Sequence, residues 1–242
     1  MNFTISGSDI PIILGISPFA KREDLILIKA GVKKPDYNNE NINTRYGEDM
    51  EPIIREYVNV YHDMDYITDR LDLVGIVCKV DGIDKDRLSI LEVKTTGKYS
   101  DNLDNYTIYL VQLLYYMMCY SHDDVIYSGK LAIYNRPDDY NRELEPERLQ
   151  IFNINLKEHI DLCNRIREEV IKFRTEVNNL IEQNKNVDID LLQCQLNTIF
   201  EENRKYKEAL EKIRGHVQLI ESYSEERTVL AQCNLIEELL ER

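Results

Sequence analysis

Apolar and polar residues follow two different spacings along the first 186 positions of the chain. Apolar residues three or four positions apart predict helices over residues 6–15, 23–30, 46–61 and 106–120. Apolar runs bounded by turn residues predict strands over residues 73–80, 88–96, 129–134 and 149–154. Strands and helices therefore alternate along this part of the chain.

Helical spacing dominates the rest of the sequence. Apolar residues at intervals of three or four from Leu156 to Leu180 predict one amphipathic helix. The stretch 188–242 has a single Gly and no Pro, and predicts two helices joined near residues 221–226. At 242 residues the chain is long enough for one globular domain and an appendage. We expect a domain over residues 1–186 and a helical hairpin or extension over 187–242, which covers the core or mediates oligomerisation.

Composition narrows the class of protein. The five cysteines include no CxxC pair and no grouping with His, which argues against zinc and iron–sulfur sites. No apolar run approaches the roughly 20 residues that a membrane-spanning helix needs, and the N-terminus does not resemble a signal peptide. We therefore expect a cytoplasmic protein with reduced thiols and no membrane association.

The charge balance works against binding to nucleic acid. The chain has a net charge of −14, with 32 acidic and 23 basic residues in 1–186 and 12 acidic and 7 basic residues in 187–242. Phosphate contacts need Lys and Arg on the binding surface. The count weakens this interpretation without refuting it. Basic residues cluster between Lys21 and Lys34, where Glu23 and Asp24 interrupt them, so a solvated helix face is as good an interpretation there as a DNA-binding surface.

The most informative chemistry lies in two short runs, Lys79-Val80-Asp81-Gly82 and Ile90-Leu91-Glu92-Val93-Lys94. Alternation along a strand places Glu92 and Lys94 on one face and Val93 on the other. A hairpin between the two runs would bring Asp81 beside Glu92, and converging carboxylates suit a hard cation such as Mg²⁺. An exposed amphipathic strand has the same spacing, so these residues alone leave both interpretations open. Charges inside an apolar strand favour a site, because buried ions are unfavourable when unpaired.

Four stretches form an ordered set of motifs. They are Ser6-Gly7-Ser8-Asp9-Ile10 with Leu14-Gly15-Ile16-Ser17-Pro18-Phe19, then Tyr46-Gly47-Glu48-Asp49-Met50-Glu51-Pro52, then the acids and lysine just described, and finally Tyr109-Leu110-Val111-Gln112 with Tyr116. Together they resemble the YqaJ-type viral recombinase family, the lambda-exonuclease branch of the PD-(D/E)XK nucleases. The resemblance extends over roughly residues 4–180.

This resemblance implies a fold and a metal site. The fold is α/β (α+β), a restriction-endonuclease-like core with a small mixed central sheet flanked by helices, followed here by the C-terminal helical extension. One or two Mg²⁺ or Mn²⁺ ions would be held by Glu51, Asp81 and Glu92, with the Val93 carbonyl as a further ligand.

The resemblance also implies roles in catalysis and DNA binding. Lys94 would position the water nucleophile, and Gln112 would hold Lys94 or the scissile phosphate. Ser8, Arg45 and Tyr116 are the implied DNA contacts. The chain departs from many relatives in having Leu114 where they have a second glutamine.

The activity implied is that of a phage or prophage DNA exonuclease. It would degrade linear duplex ends from 5′ to 3′ as a ring-shaped homotrimer, and leave 3′ single strands for an annealing recombinase, in the cytoplasm of a bacterial host or phage-infected cell. Within nucleases, the spacing of Gln112 and Tyr116 also fits RecB-type or CRISPR-adaptation enzymes. From a different class, the acidic surface and C-terminal helices fit a nuclease-fold protein that acts as a protein-binding or inhibitory module.

Overall fold

The computed structural model of the protein describes residues 3–35, 41–122 and 125–223, with the side chains of 185–193 and 218–223 excepted. Six strands form one sheet: β1 (Ile5–Ser6), β2 (Ile67–Leu73), β3 (Ile76–Asp84), β4 (Ser89–Thr96), β5 (Ser128–Asn135) and β6 (Leu149–Ile154). The α-helices are α1 (Ile10–Ile13), α2 (Arg22–Lys29), α3 (Ile42–His62), α4 (Thr107–Tyr120) and α5 (Ile160–Tyr223). Short 3₁₀ turns cover Gly7–Asp9, Leu103–Tyr106, Pro146–Arg148 and Leu156–His159.

The sheet is mixed, as predicted. Its order is β1-β3-β4-β5-β6, and β2 pairs with β3 as well. β1 with β3 and β4 with β5 are parallel, whereas β2 with β3, β3 with β4 and β5 with β6 are antiparallel. The parallel pair β4 and β5 is connected through α4, because parallel neighbours need a crossover.

Helices cover both faces of this sheet. On one face α3 packs its buried side chains against β4 and β5, through Tyr46, Met50, Ile54, Val58, Leu91, Val93, Ala132 and Tyr134. On the other face α1, α4 and the start of α5 bury a larger core that includes Ile10, Ile13, Val111, Leu114, Ile90, Leu131, Ile166 and Phe173. Successive residues of β4 therefore enter opposite cores, as strand alternation requires.

The chain forms two compact units, Met1–Ile181 and Glu182–Arg242. Helix α5 is continuous to Tyr223, so the predicted break between a helix ending at 180 and another beginning at 188 is wrong. The intervening residues contain no Gly or Pro to interrupt a helix. The second helix of the predicted hairpin lies outside the described residues, and the boundary at 186 stays a prediction. No helix in the described ranges has the length and hydropathy of a membrane span.

The predicted strand over residues 73–80 is also wrong at its start. Val74 and Gly75 form a turn that joins β2 to β3, with Leu73 paired to Ile76. Gly75 has a φ of 74°, a left-handed conformation that favours glycine. β2 was not predicted, because charged residues such as Asp69, Arg70 and Asp72 interrupt its apolar alternation.

Candidate active site

Asp81 lies where β3 changes its pairing partner. β1 pairs with β3 at Ile76 and Val77, and β4 pairs with it from Asp84 to Gly82. Just beyond the β3–β4 pairing, the Asp81 carboxylate accepts a hydrogen bond of 2.8 Å from the backbone N–H of Val93. The predicted proximity of Asp81 to the Glu92 region of β4 is therefore present in the structure.

Glu92 is fully buried on β4. Lys94, two residues on, points the same way, and its Nζ lies 2.5 Å from Glu92 Oε1. Apart from this ion pair, neither Glu92 carboxylate oxygen has a hydrogen-bond partner in the part of the chain that the structure describes. A buried carboxylate with unused lone pairs is unfavourable until a cation or a proton neutralises it. Among the residues of this site, Glu92 therefore has the environment that most favours binding of a cation.

Glu51 approaches the same site from α3. Its carboxylate pairs with Arg55 one turn later, at 2.9 Å. Arg55 also donates to the backbone carbonyl of Asp81 at 2.6 Å, and so ties α3 to β3. Sequence reasoning missed Arg55, although its spacing of four residues from Glu51 is the signal that could have found it.

The charges in this group alter one another's pKa values. Burial raises the pKa of the Glu92 carboxyl to about 8, and the negative charge of Asp81 adds to the rise. Burial likewise raises the pKa of Asp81, against the opposing effect of Lys94. Burial alone would lower the pKa of Lys94, but the charges of Glu92 and Asp81 outweigh it, so the pKa of Lys94 is raised. Lys94 is therefore a stable ammonium group, suited to orienting an anion or a water molecule.

The residues present fit a divalent cation. Glu51, Asp81 and Glu92 supply three carboxyl groups, and the raised pKa values of Asp81 and Glu92 mean that their negative charges are unfavourable without a further cation. Carboxylate oxygens are ligands that Mg²⁺ and Mn²⁺ accept. As the side chains stand, however, no three His, Cys, Asp or Glu side chains within the described ranges form a ready metal site. The pairing of Glu51 with Arg55 agrees with this finding, because it leaves Glu51 engaged elsewhere.

Helix α4 places Gln112 and Tyr116 one turn apart. Gln112 Nε2 lies 3.2 Å from the Tyr116 hydroxyl, to which it donates. No hydrogen bond joins Gln112 to Lys94 among the described residues. Tyr116 is only 4 % exposed, and its ring packs so closely on Gly7 that a Cβ there would lie 2.3 Å from Tyr116 Cε1. Because Tyr116 is a core residue, the DNA contact predicted for it does not enter our proposal.

The opening motif has a structural role at Asp9. The Asp9 carboxylate accepts hydrogen bonds from the Ser6 N–H at 2.7 Å and from the Ser6 hydroxyl at 2.9 Å. It also pairs with Lys29 at 2.8 Å. Ser8 is exposed beside this turn, with its hydroxyl 3.0 Å from that of Ser6. Arg45 is exposed on α3, so both predicted phosphate contacts are accessible to a ligand.

A cleft of about 1170 Å³ opens at the end of β4, where Thr95 lines it, whereas Lys94 and the three carboxylates are not among its lining residues. Its wall includes Thr95 and Thr96, which follow Lys94 on β4, and Tyr109, whose pKa the Lys94 charge influences. None of the described residues that line the cleft is acidic, although the chain is acidic overall, and Lys98 and Arg136 are basic. The cleft is therefore locally cationic.

Aromatic side chains also line this cleft. Phe19 is 82 % exposed and Tyr99 is 57 % exposed. The guanidinium of Arg136 lies over the Tyr140 ring, 4.6 Å from its centroid. The backbone N–H of Arg136 donates a hydrogen bond of 2.8 Å to the Thr96 carbonyl. Cationic groups together with exposed aromatic rings are the combination that holds single nucleic-acid strands. Sequence reasoning gave no role to these residues, since only folding brings them together.

This architecture is found in solved exonuclease structures. An alkaline exonuclease from Laribacter hongkongensis, LHK-Exo, matches with a TM-score of 0.55 and 18 % identity over 78 % of this chain and 94 % of that one. Its complex with dAMP matches over the same shares, with a TM-score of 0.53 and 18 % identity. A phage-related exonuclease from Haemophilus somnus 129PT matches with a TM-score of 0.58 and 15 % identity, over 76 % of this chain and 97 % of that one. The chain thus has the fold of these exonucleases, and the predicted fold class is confirmed.

Family membership follows from the sequence. The family model for the YqaJ-like viral recombinase domain matches residues 2–123, which include all four motifs. The chain belongs to this family, and the resemblance inferred from those motifs is confirmed. A search of curated proteins found no match.

Proposed function

We propose that this protein is a metal-dependent nuclease that degrades linear duplex DNA from its ends. The observation that carries the proposal is the placement of buried Glu92 with Asp81 and Lys94, next to a cleft whose described lining residues are basic, aromatic and neutral. Membership of the YqaJ-like family and the exonuclease fold support it.

In this proposal Asp81, Glu92 and Glu51 hold Mg²⁺ or Mn²⁺, one or two ions, with the Val93 carbonyl as a further ligand. When bound, such a cation would neutralise negative charge on the scissile phosphate and activate water for attack. Glu51 can bind the cation only when its carboxylate no longer pairs with Arg55. Arg55 would keep Asp81 in place through the hydrogen bond to its backbone carbonyl.

The cationic groups bind and orient the substrate. The Lys94 ammonium orients the attacking water or a phosphate oxygen, and a preorganised charge or hydrogen-bond donor of this kind contributes roughly 100-fold or more to rate. Lys98 and Arg136 contact the DNA backbone in the cleft, with Ser8 and Arg45 as further phosphate contacts. This local positive charge offsets the repulsion expected from a chain of net charge −14.

Polarity and partners follow from family resemblance. We propose digestion from 5′ to 3′, release of a 3′ single strand, and transfer of that strand to a single-strand annealing recombinase. A homotrimeric ring around the duplex would keep an acidic enzyme on its substrate by enclosure.

The proposal is tested with blunt duplexes labelled at either end, carrying either a 5′-phosphate or a 5′-hydroxyl, in Mg²⁺ and in Mn²⁺. At each end of the duplex, wild-type protein should release nucleotides from the strand whose 5′ terminus lies at that end. Asp81→Asn and Lys94→Met should lower the rate by roughly 100-fold or more, because each removes a charge that stabilises the transition state. Matched controls are Asp72→Asn, on exposed β2, and Lys130→Met, on β5 away from the cleft.

A second readout separates metal binding from chemistry. Mg²⁺ at 100 times its Kd should raise the free energy of unfolding by about 2.7 kcal/mol in wild type, and far less in Asp81→Asn. If wild-type protein leaves linear, nicked and single-stranded DNA intact with both metals, the nuclease proposal fails and the acidic protein-binding module takes its place.

A further inference from the structure

The part of α5 that follows residue 193 carries a regular apolar stripe, which we call the α5 seam. Its members are spaced alternately three and four residues apart, and they are Leu196, Ile199, Asn203, Tyr206, Leu210 and Ile213. This is the a and d spacing of a heptad repeat, which in water is buried by another helix. In the sequence the same spacing extends back to Leu192 and Ile189.

The α5 seam is exposed in the single chain from Leu196 to Ile213. Ile199 is 53 % exposed, Tyr206 is 70 % exposed and Ile213 is 43 % exposed, whereas Val217, which continues the spacing at the next a position, is buried. Phe200, next to the seam, is 68 % exposed and widens the apolar surface. A continuous apolar stripe of this kind marks an interaction surface. The family match ends at residue 123, so the surface lies outside the part of the chain that the family model describes.

We infer that the α5 seam binds the same seam of a second copy of this chain, as a parallel, in-register coiled coil. Asn203 is the one polar residue among the six seam positions. In parallel register it meets Asn203 of the other copy, where the two amides can hydrogen-bond to each other, and a shifted or antiparallel arrangement would bury it against apolar side chains. A single Asn at an a position specifies register in this way.

Charges beside the seam fit the same arrangement. Glu202 and Lys207 occupy g and e positions, and in a parallel pair g of one helix faces the following e of the other. Each Glu202 would therefore face Lys207 of the other copy, so the two pairs are attractive. Within the described residues neither side chain has an ion pair in the single chain, whereas nearby Arg204 pairs with Glu201 at 2.8 Å. Charge complementarity and the placement of Asn203 both favour a second copy over an unrelated partner.

Disulfide trapping of the full-length protein tests the register. In the parallel coiled coil, Leu210→Cys, at an a position one heptad after an intact Asn203, places two thiols within disulfide distance across the seam. Under mild oxidation with diamide, this variant should form a covalent dimer on non-reducing gels at least tenfold faster than Asn197→Cys, which occupies an outward b position on the same helix. Both variants retain Asn203 and the native cysteines, so these do not bias the comparison. Equal or slower trapping of Leu210→Cys overturns the inference.

Mass measurement tests the surface independently. By light scattering, wild type should have a mass at least twice the 28.6 kDa of one chain. A ring held together by other surfaces would keep that mass in Leu210→Glu, and this result overturns the inference. Leu210→Glu should raise the dissociation constant at least tenfold, and Asn197→Glu should not change it. Lys207→Glu should weaken association and Glu202→Lys combined with Lys207→Glu should restore it. A wild-type monomer at all concentrations, including one whose seam is covered by its own residues 224–242, overturns the proposal.

Discussion

Gly7 is predicted to be intolerant of even one added methyl group. In Gly7→Ala the new Cβ would lie 2.3 Å from Tyr116 Cε1 and 2.6 Å from the Tyr116 hydroxyl oxygen. Ordinary contact begins near 3.4 Å, so the ring must move by about 1 Å, the difference between 3.4 and 2.3. Tyr116 is 4 % exposed in the core between α4 and the sheet, so little space is available for this movement.

The free-energy change can be estimated from two effects. Overpacking a close-packed core typically destabilises by about 1–3 kcal/mol. A shift of the ring also breaks the 3.2 Å hydrogen bond between Gln112 and Tyr116, which contributes about 0.5–1.5 kcal/mol. Together these effects predict a loss of about 1.5–4.5 kcal/mol.

A second glycine provides the matched control. Gly47 lies in α3, where an added Cβ would meet, among the described residues, only the Thr95 hydroxyl oxygen, at 3.3 Å. This side chain can rotate away, and Ala is favoured over Gly in a helix interior by up to about 1 kcal/mol. Gly47→Ala should therefore be neutral or stabilising.

Urea unfolding followed by near-ultraviolet circular dichroism measures both variants, because the chain has no Trp and most of its 16 Tyr lie within residues 1–181. The midpoint should fall for Gly7→Ala without a change in the slope of the transition. Combining Gly7→Ala with Tyr116→Leu should show a favourable coupling of about 1 kcal/mol or more. A Gly7→Ala protein as stable as wild type, or strict additivity with Tyr116→Leu, would refute this account of the opening motif.

Two further predictions concern a buried acid and the cleft. Asp84 accepts hydrogen bonds from the backbone N–H groups of Asp65 and Arg87, both at 2.9 Å. Burial alone would raise its pKa, but these bonds and the Arg87 guanidinium lower it. Asp84→Ala should therefore lose roughly 1–3 kcal/mol near neutral pH, and wild type should lose the same stabilisation as pH falls below 3.8 and through the lowered pKa, as measured by urea unfolding at each pH. Replacing Lys98 and Arg136 together with Gln should weaken binding to duplex ends and reduce the slope of log K against log salt by about 1.8, whereas Lys130→Gln should leave the slope unchanged in the same fluorescence titration.

The family and the fold class could be predicted because their signals are local. The motif around Asp9 and the run from Ile90 to Lys94 are contiguous in the sequence. The positions of β4, α4 and β6 also followed from spacing, because side chains repeat every two residues in a strand and every 3.6 in a helix. β2 was not predicted because it is largely exposed, and a strand that buries neither face does not require alternating apolar residues.

Several features of the candidate site could not be predicted. Arg55 contacts the carbonyl of Asp81, 26 residues away in sequence. Tyr116 resembled a DNA contact in the motif, yet the approach of Gly7 makes it part of the core. The cationic cleft joins Lys98 after β4 to Arg136 after β5, and a net charge of −14 gives no indication of that local concentration.

The sequence by itself determined which groups are available and which of them share a strand face or a helix stripe, because bond geometry sets those spacings. It therefore determined that Glu92 and Lys94 lie together, and that the α5 seam is continuous. Only the tertiary structure decided that Glu92 is buried without a hydrogen-bond partner other than Lys94 in the described chain, with Asp81 and Glu51 near it. Burial and convergence depend on packing between distant segments, and it is desolvation by that packing that changes the chemistry of an ordinary carboxylate.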